Sequence, residues 1–268
     1  MKTSALPLFR RAIVDSWRAT LGWSLGIAAA ILLYMPLFPA LGGKDSQMTQ
    51  LLDNLPSQLV QTLGYSNITT GSGYAEATFY GLLGFVLMII AATSWGTAAI
   101  AGDEESGSLE LTLAHGVTRT QVVLERTLGV VIRLVWLALF SALLILALNN
   151  SSELDLKPAN VFAVAAAYLG LGLVSATLGI AVGALTGRKV YATGAGAGIA
   201  VLSYALNAIG SQSRDLDVLR DFTPYGWAYH HTPLASGADW TGLALLYGFS
   251  VLFVVVAVIA LRRRDIAG

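Results

Sequence analysis

The sequence predicts an all-α membrane protein: six transmembrane helices, an N-terminal interfacial amphipathic helix, a short cytoplasmic helix, and a re-entrant outer segment before the last span. Three observations predict it. Of 268 residues, 55% are hydrophobic and only 12% are charged, against about 25% charged in a water-soluble domain. The apolar residues come in long runs rather than at alternating or heptad spacing, which places the chain in the membrane class. The basic residues gather beside one set of loops. Residues 1–268 read as a single domain with no composition break that would separate a second one.

The elements follow in order. In residues 1–20, Leu6, Phe9, Ile13 and Trp17 fall at helical spacing, with Arg10, Arg11, Asp15 and Arg18 on other faces. Ser4 can cap such a helix, and Pro7 is tolerated in a first turn. The pattern suits a helix lying in the cytoplasmic interface, with Trp17 at headgroup depth and Arg10, Arg11 and Arg18 on lipid phosphates. The alternative is a cytoplasmic extension of the first span. That span, about Leu21–Leu41, is expected to be retained, because the segment before it is longer and more amphipathic than the basic start of a signal peptide.

Beyond it, Gly42–Tyr74 forms a long outer loop in which Met48, Leu51, Leu52, Leu55 and Leu59 give a surface helix an apolar face. The second span is about Phe79–Ile100, and a charged insert, Ala101–Arg119, follows it. The third is about Leu128–Leu148, the fourth Val161–Leu185, the fifth Tyr191–Ile209 and the sixth Leu243–Leu261. Each is near the roughly 20 residues that a helix needs to cross a bilayer. Between the last two, Gln212–Trp240 is rich in Trp, Tyr and Pro. Its Pro224, Tyr225, Trp227 and Pro233 point to a re-entrant or interfacial cap rather than a free loop.

Charge sets the orientation. Lys2, Arg10, Arg11 and Arg18 precede the first span, Arg119 and Arg126 follow the second, Arg188 and Lys189 separate the fourth and fifth, and Arg262–Arg264 close the sixth. All lie on the side of the termini. The other side has Lys44, Lys157, Arg214 and Arg220, mixed with acidic residues. The positive-inside rule therefore puts both termini in the cytoplasm of a multi-pass plasma-membrane protein. The net charge is zero, which implies no nucleic-acid partner.

The spans are almost empty of chemistry. Arg133 is their one ionisable residue. It is close enough to the cytoplasmic end to snorkel as a structural residue, and it could also serve a substrate pathway or a helix contact. An ion-coupled secondary transporter needs a mid-membrane carboxylate or His relay, and an intramembrane hydrolase needs paired acids, a metal or an activated nucleophile. There is no cysteine, no H-E-x-x-H and no G-x-x-x-x-G-K-[S/T] phosphate loop. His230-His231 lacks an evident third ligand and reads better as part of an aromatic lid than as a metal site. Free energy for any work must come from outside the chain.

The insert Ala101–Arg119 is the feature best suited to receive it. Gly102 can release the chain from the second span, and Asp103, Glu104 and Glu105 make an acidic patch. Gly107-Ser108 reads as a break and a cap. Leu109, Leu111 and Leu113 supply apolar contacts, and Gly116 can stop the helix. The outcome is a cytoplasmic helix of about two turns, roughly 10 Å long, tethered between two spans. An inert cap on a helical hairpin would look the same.

Glu105-Ser106-Gly107-Ser108-Leu109-Glu110-Leu111, with Leu113 and Val117-Thr118-Arg119, resembles the cytoplasmic stretch of ABC-type-2 exporter permeases. The likeness extends over the topology and to Thr223-Pro224-Tyr225 and Pro233-Leu234…Gly237 in the outer segment. His115-Gly116 stands where that family usually has a Pro-containing pair. The resemblance implies a bacterial or archaeal permease that pairs with a second copy or paralogue, a homodimer in the simplest case. It implies no cofactor in this chain, with ATP and Mg held by a separate cytosolic ABC ATPase subunit. Glu104, Glu105, Gly107, Ser108, Leu109, Glu110 and Leu113 would form the coupling segment. Asp at Leu109 or Leu113 is expected to uncouple transport without unfolding the chain. The cargo would be a small apolar or amphipathic molecule (a drug, antibiotic or lipid-like compound) exported by alternating access, with membrane lipids as further partners. Two other classes remain beside this: an ion-coupled secondary transporter, and a non-transporting membrane immunity or sensor protein.

Overall fold

Long uncharged runs leave a backbone in lipid no hydrogen-bond partner but itself, so they fold as helices. The computed structural model describes residues 7–41, 69–114, 116–212 and 214–264, and every regular element among them is helical. The elements are α1 (Pro7–Tyr34), α2 (Gly71–Glu105), α3 (Ser108–Ala114), α4 (Arg119–Leu148), α5 (Pro158–Thr186), α6 (Lys189–Gly210), α7 (Val218–Asp221), α8 (Pro224–Tyr229), α9 (Pro233–Ser236) and α10 (Trp240–Arg263). Six of them, α1, α2, α4, α5, α6 and α10, are long and apolar enough to cross a membrane. Five of the expected spans fall inside these helices, and the first, about Leu21–Leu41, runs past α1 through short helical turns at Met35–Leu37 and Phe38–Leu41. The helices overrun the apolar cores because polar residues at their ends continue the same backbone pattern.

The hub is α5, which packs against α10, α6, α2 and α4, while α1 lies along α4. Small residues make this close packing possible. A Cβ at Gly96 of α2 would sit 2.4 Å from the Ala176 carbonyl oxygen of α5, so only glycine fits there. The rings of Phe79, Tyr80 and Tyr168 fill the space between α2 and α5, with the Tyr80 and Tyr168 centroids 5.5 Å apart, edge to face.

Two sequence expectations change. The N-terminal amphipathic segment is not a separate interfacial helix, because α1 runs unbroken from Pro7 to Tyr34. Its start is anchored on α4, which directs it along the bundle: the Leu8 and Phe9 N–H groups donate to Glu125 Oε2 at 2.8 and 3.0 Å. At 1.5 Å per residue, this helix is about 42 Å long, which exceeds the roughly 30 Å hydrocarbon layer. Nor does Gly102 end α2, which continues to Glu105 through a π turn at Ala98–Gly102. The break comes at Gly107, whose φ of 71° is readily adopted only by glycine. The expected surface helix around Met48–Leu59 lies outside the described residues, as does His115.

A second π stretch covers Glu76–Leu83 at the other end of α2. Carbonyls in and beside these turns are taken by side chains from other elements. Gly81 O accepts the Tyr225 hydroxyl at 2.8 Å, Gly84 O accepts that of Tyr168 at 2.8 Å, and Ala99 O accepts Arg126 Nη1 at 3.2 Å. Such turns are rare and recur at functional positions.

Candidate functional site

The two ends of the bundle carry different chemistry. The first has α3, the start of α4 and both described ends of the chain. Here the acidic run that closes α2 is consumed within the molecule. Asp103 pairs with Arg126 of α4, Glu104 with Arg264 just past α10, and Glu105 with Lys189 at the start of α6, where the Lys189 N–H donates to Glu105 Oε1 at 2.8 Å. Arg264 also donates to Ala184 O of α5 at 2.9 Å, and Arg119 donates to Leu261 O of α10 at 3.1 Å. One tripeptide thus clasps α4, α6 and α10 to α2. Glu104 and Glu105, expected in the coupling segment, both take part in this clasp. The sequence carried a signal that went unread: three acids stand on the same side as one base from each of three other spans.

Gly107 turns the chain into α3. Ser108 was expected to cap this helix, yet its hydroxyl donates backward to Asp103 O at 3.1 Å, joining Ser106 Oγ on the same carbonyl. The serine therefore satisfies the end of α2. Leu109 is fully buried in the core and Leu113 packs against it, whereas Glu110 is exposed and Leu111 is 67% exposed. Leu109 consequently seats α3 on the bundle, and an Asp there tests folding rather than docking. Gly116, with φ at 80°, lets the chain leave α3. Thr118 then caps α4 by accepting the Gln121 N–H at 3.2 Å.

Along α1, Arg10, Trp17 and Arg18 are exposed, and the Arg18 guanidinium lies 5.5 Å from the Trp17 ring centroid. Arg11 lies on the same helix. Arg133 of α4 donates from Nε to Gly129 O, one turn back toward the α3 end, at 2.9 Å. Its guanidinium rests over the Trp95 ring of α2, 4.7 Å from the centroid. It bridges two helices, as a structural residue would.

The opposite end is closed by α7, α8 and α9. Pro224 opens α8 behind a Thr223 cap that accepts the Gly226 N–H at 3.1 Å. Tyr225 is buried; its N–H donates to Ser203 Oγ of α6 at 2.6 Å and its hydroxyl to Gly81 O of α2. Trp227 donates its indole N–H to Asp221 O at 2.6 Å and stacks on Phe249 of α10. Pro233, also buried, opens α9, and the following Leu234 N–H donates to the Glu76 carboxylate at 3.2 Å. Asn160, at the start of α5, donates to the carbonyls of Leu234 and Ala235. The aromatic segment is thus a bonded lid. His230 and His231 lie beside Asp221 and Asp239, and among the described residues no group of three or more His, Cys, Asp or Glu side chains is placed to hold a metal.

Two cavities adjoin the lid. One, of about 620 Å³, is an apolar groove between α5, α6, α8 and α10, lined by Leu178, Gly198, Leu202, Pro224, Trp227 and Phe249 among others. The other, of about 340 Å³, is polar and lies between α2, α6 and the lid; Glu76, Tyr204, Asn207, Arg220, Tyr225 and Tyr229 contribute to it. Glu76 lies just outside the expected second span, Phe79–Ile100, and the π stretch places it in this wall.

Comparison with curated proteins finds no significant match. The sequence model described as ABC-2 family transporter protein matches residues 6–266. With six helices able to cross a membrane and this near-complete match, the chain belongs to the ABC-2 type transporter permease family.

Proposed function

We propose that the chain is the membrane half of an ATP-driven exporter, working as a homodimer with both termini in the cytoplasm of a bacterial or archaeal cell. A separate cytosolic ABC ATPase subunit binds ATP and Mg and pushes on α3. One observation carries this reading. The helix α3 is held by buried Leu109 and by turns at Gly107 and Gly116, and it presents Glu110 and Leu111 outward at the end where the basic residues collect. A load on that surface passes through short turns into α2 and α4 as bodies. The acidic clasp resists such a load until the helices move together. The outer lid, with Phe222 and Trp240 strongly exposed, re-enters the outer interface of the membrane. The apolar groove beneath it supports an apolar or amphipathic cargo.

The test is ATP turnover by a candidate ATP-binding subunit co-reconstituted with the chain in nanodiscs. Leu111→Asp is expected to lower the stimulation of turnover about tenfold or more, as loss of an interface anchor does, with helicity and monodispersity unchanged. Leu109→Asp is expected to reduce the yield of folded chain instead, by about 2–5 kcal/mol of lost core packing and a buried charge. Full stimulation by a folded Leu111→Asp chain would overturn the docking role of α3.

A further inference from the structure

The polar cavity under the lid has features that the export reading does not use. Glu76 is only 9% exposed, and among the described residues one hydrogen bond reaches its carboxylate, leaving most of its accepting capacity unused: Oε2 takes the Leu234 N–H. Tyr229, only 6% exposed, lines the same cavity, and its hydroxyl is buried without a hydrogen-bond partner. Burial above all, then Tyr225, Tyr168, Glu76 and Tyr80, hold that phenol well above its ordinary pKa, so it remains a neutral hydroxyl. Buried hydroxyls are normally satisfied, and among the described residues this one is not.

The rest of the wall fits one charge type. Tyr204 and Tyr225 are aromatic and stand 5.3 Å apart, edge to face. Arg220 is the cation in the wall, and it is already engaged, with Nη1 3.2 Å from Asp217 Oδ1 and Nε 3.2 Å from Asn207 Oδ1. Asp221 stands close by against His230. Glu76 and Arg220 are the charged side chains in the described lining, and the Arg220 charge is met by Asp217, which leaves the Glu76 carboxylate as the charge open to a ligand. A carboxylate beside aromatic faces is the arrangement that binds organic cations, through charge and through the ring quadrupoles.

We infer that this cavity binds an amphipathic organic amine in its protonated form. The ammonium donates to the open carboxylate oxygen of Glu76, and the hydrocarbon part lies against Tyr204 and Tyr225. A volume of about 340 Å³ suits a small molecule of one ring and a short chain. The inference rests on the export reading only for the ligand's role as cargo; binding itself requires neither ATP nor a partner.

The experiment uses the full chain alone in nanodiscs, with 4-phenylbutylamine as the probe and 4-phenylbutanol as its neutral counterpart of similar shape. Calorimetry is expected to show the amine binding at least about tenfold tighter than the alcohol, one decade being 1.4 kcal/mol. Glu76→Gln keeps an acceptor for the Leu234 N–H and is expected to erase that preference. Equal binding of amine and alcohol by the unaltered chain overturns the proposal, and so does an unchanged preference in a folded Glu76→Gln chain. If that variant does not fold, the comparison of the two probes on the unaltered chain decides alone. Amine binding without ATPase stimulation would sink the export reading and leave this one standing; stimulation without amine binding would do the reverse.

Discussion

Glu125 is buried in the first turns of α4, and its carboxylate accepts from the Leu8 and Phe9 backbone and from the Gln121 side chain at 2.6 Å. The first N–H groups of a helix have no partner within it and carry partial positive charge, so a carboxylate placed there satisfies both needs. Glu125→Ala leaves those donors unanswered in a buried setting and is expected to cost about 1–3 kcal/mol. Amide hydrogen exchange should speed up in the first turn of α1 while α10 keeps its protection; equal exchange in both proteins would assign the anchoring to other contacts. In the sequence Glu125 reads only as an acid at the inner edge of a span. Its partner lies 117 residues away, and no local pattern encodes a contact at that distance. Leu109 makes a similar point. Its spacing with Leu111 and Leu113 is legible, but which leucine faces the bundle depends on how Gly107 sets the turn.

The clasp between α2 and its neighbours is a property of elements. Single exposed ion pairs contribute little, and Glu105–Lys189 is of that kind, but the other two are partly shielded, with Glu104 and Arg264 each about one-fifth exposed. The pairs also tie separate helices, so each one stiffens the others. Glu104→Arg is expected to lower the melting temperature, and adding Arg264→Glu should recover part of the loss. A double-mutant cycle should return a coupling of about 0.5–3 kcal/mol; zero coupling would mean that the helices are held by packing alone. The spans were legible because hydropathy reports directly on burial in lipid. The short α3 was legible because Gly107 and Gly116 punctuate it. The π turns were not, because an i→i+5 register leaves no mark in composition. Continuity of α1 was not either, since an amphipathic segment and a membrane helix share one periodicity when joined end to end.

At the scale of the whole molecule, the arrangement of charge predicts one orientation, with both termini in the cytoplasm. The chain has no native cysteine, so single introduced ones report on it directly. A cysteine at Ser236 in α9 should react from outside cells with a membrane-impermeant maleimide, and one at Glu110 in α3 only after permeabilisation. The opposite pattern would invert the topology and remove α3 from the reach of a cytosolic partner. The same two ends are joined by α2, whose π turns lie at Glu76–Leu83 and Ala98–Gly102. Each π turn takes up one residue more than an α turn, and one residue is worth about 100° of rotation about the axis. These turns therefore set the phase between the ends. They aim Glu76 at the lid and Asp103–Glu105 at three bases on a single rod whose regular winding would point one set elsewhere. A π turn gained or lost along α2 would change that phase by about 100°, whereas one that slid would rotate only the residues it passed, turning a face of the rod while both of its ends stayed in place.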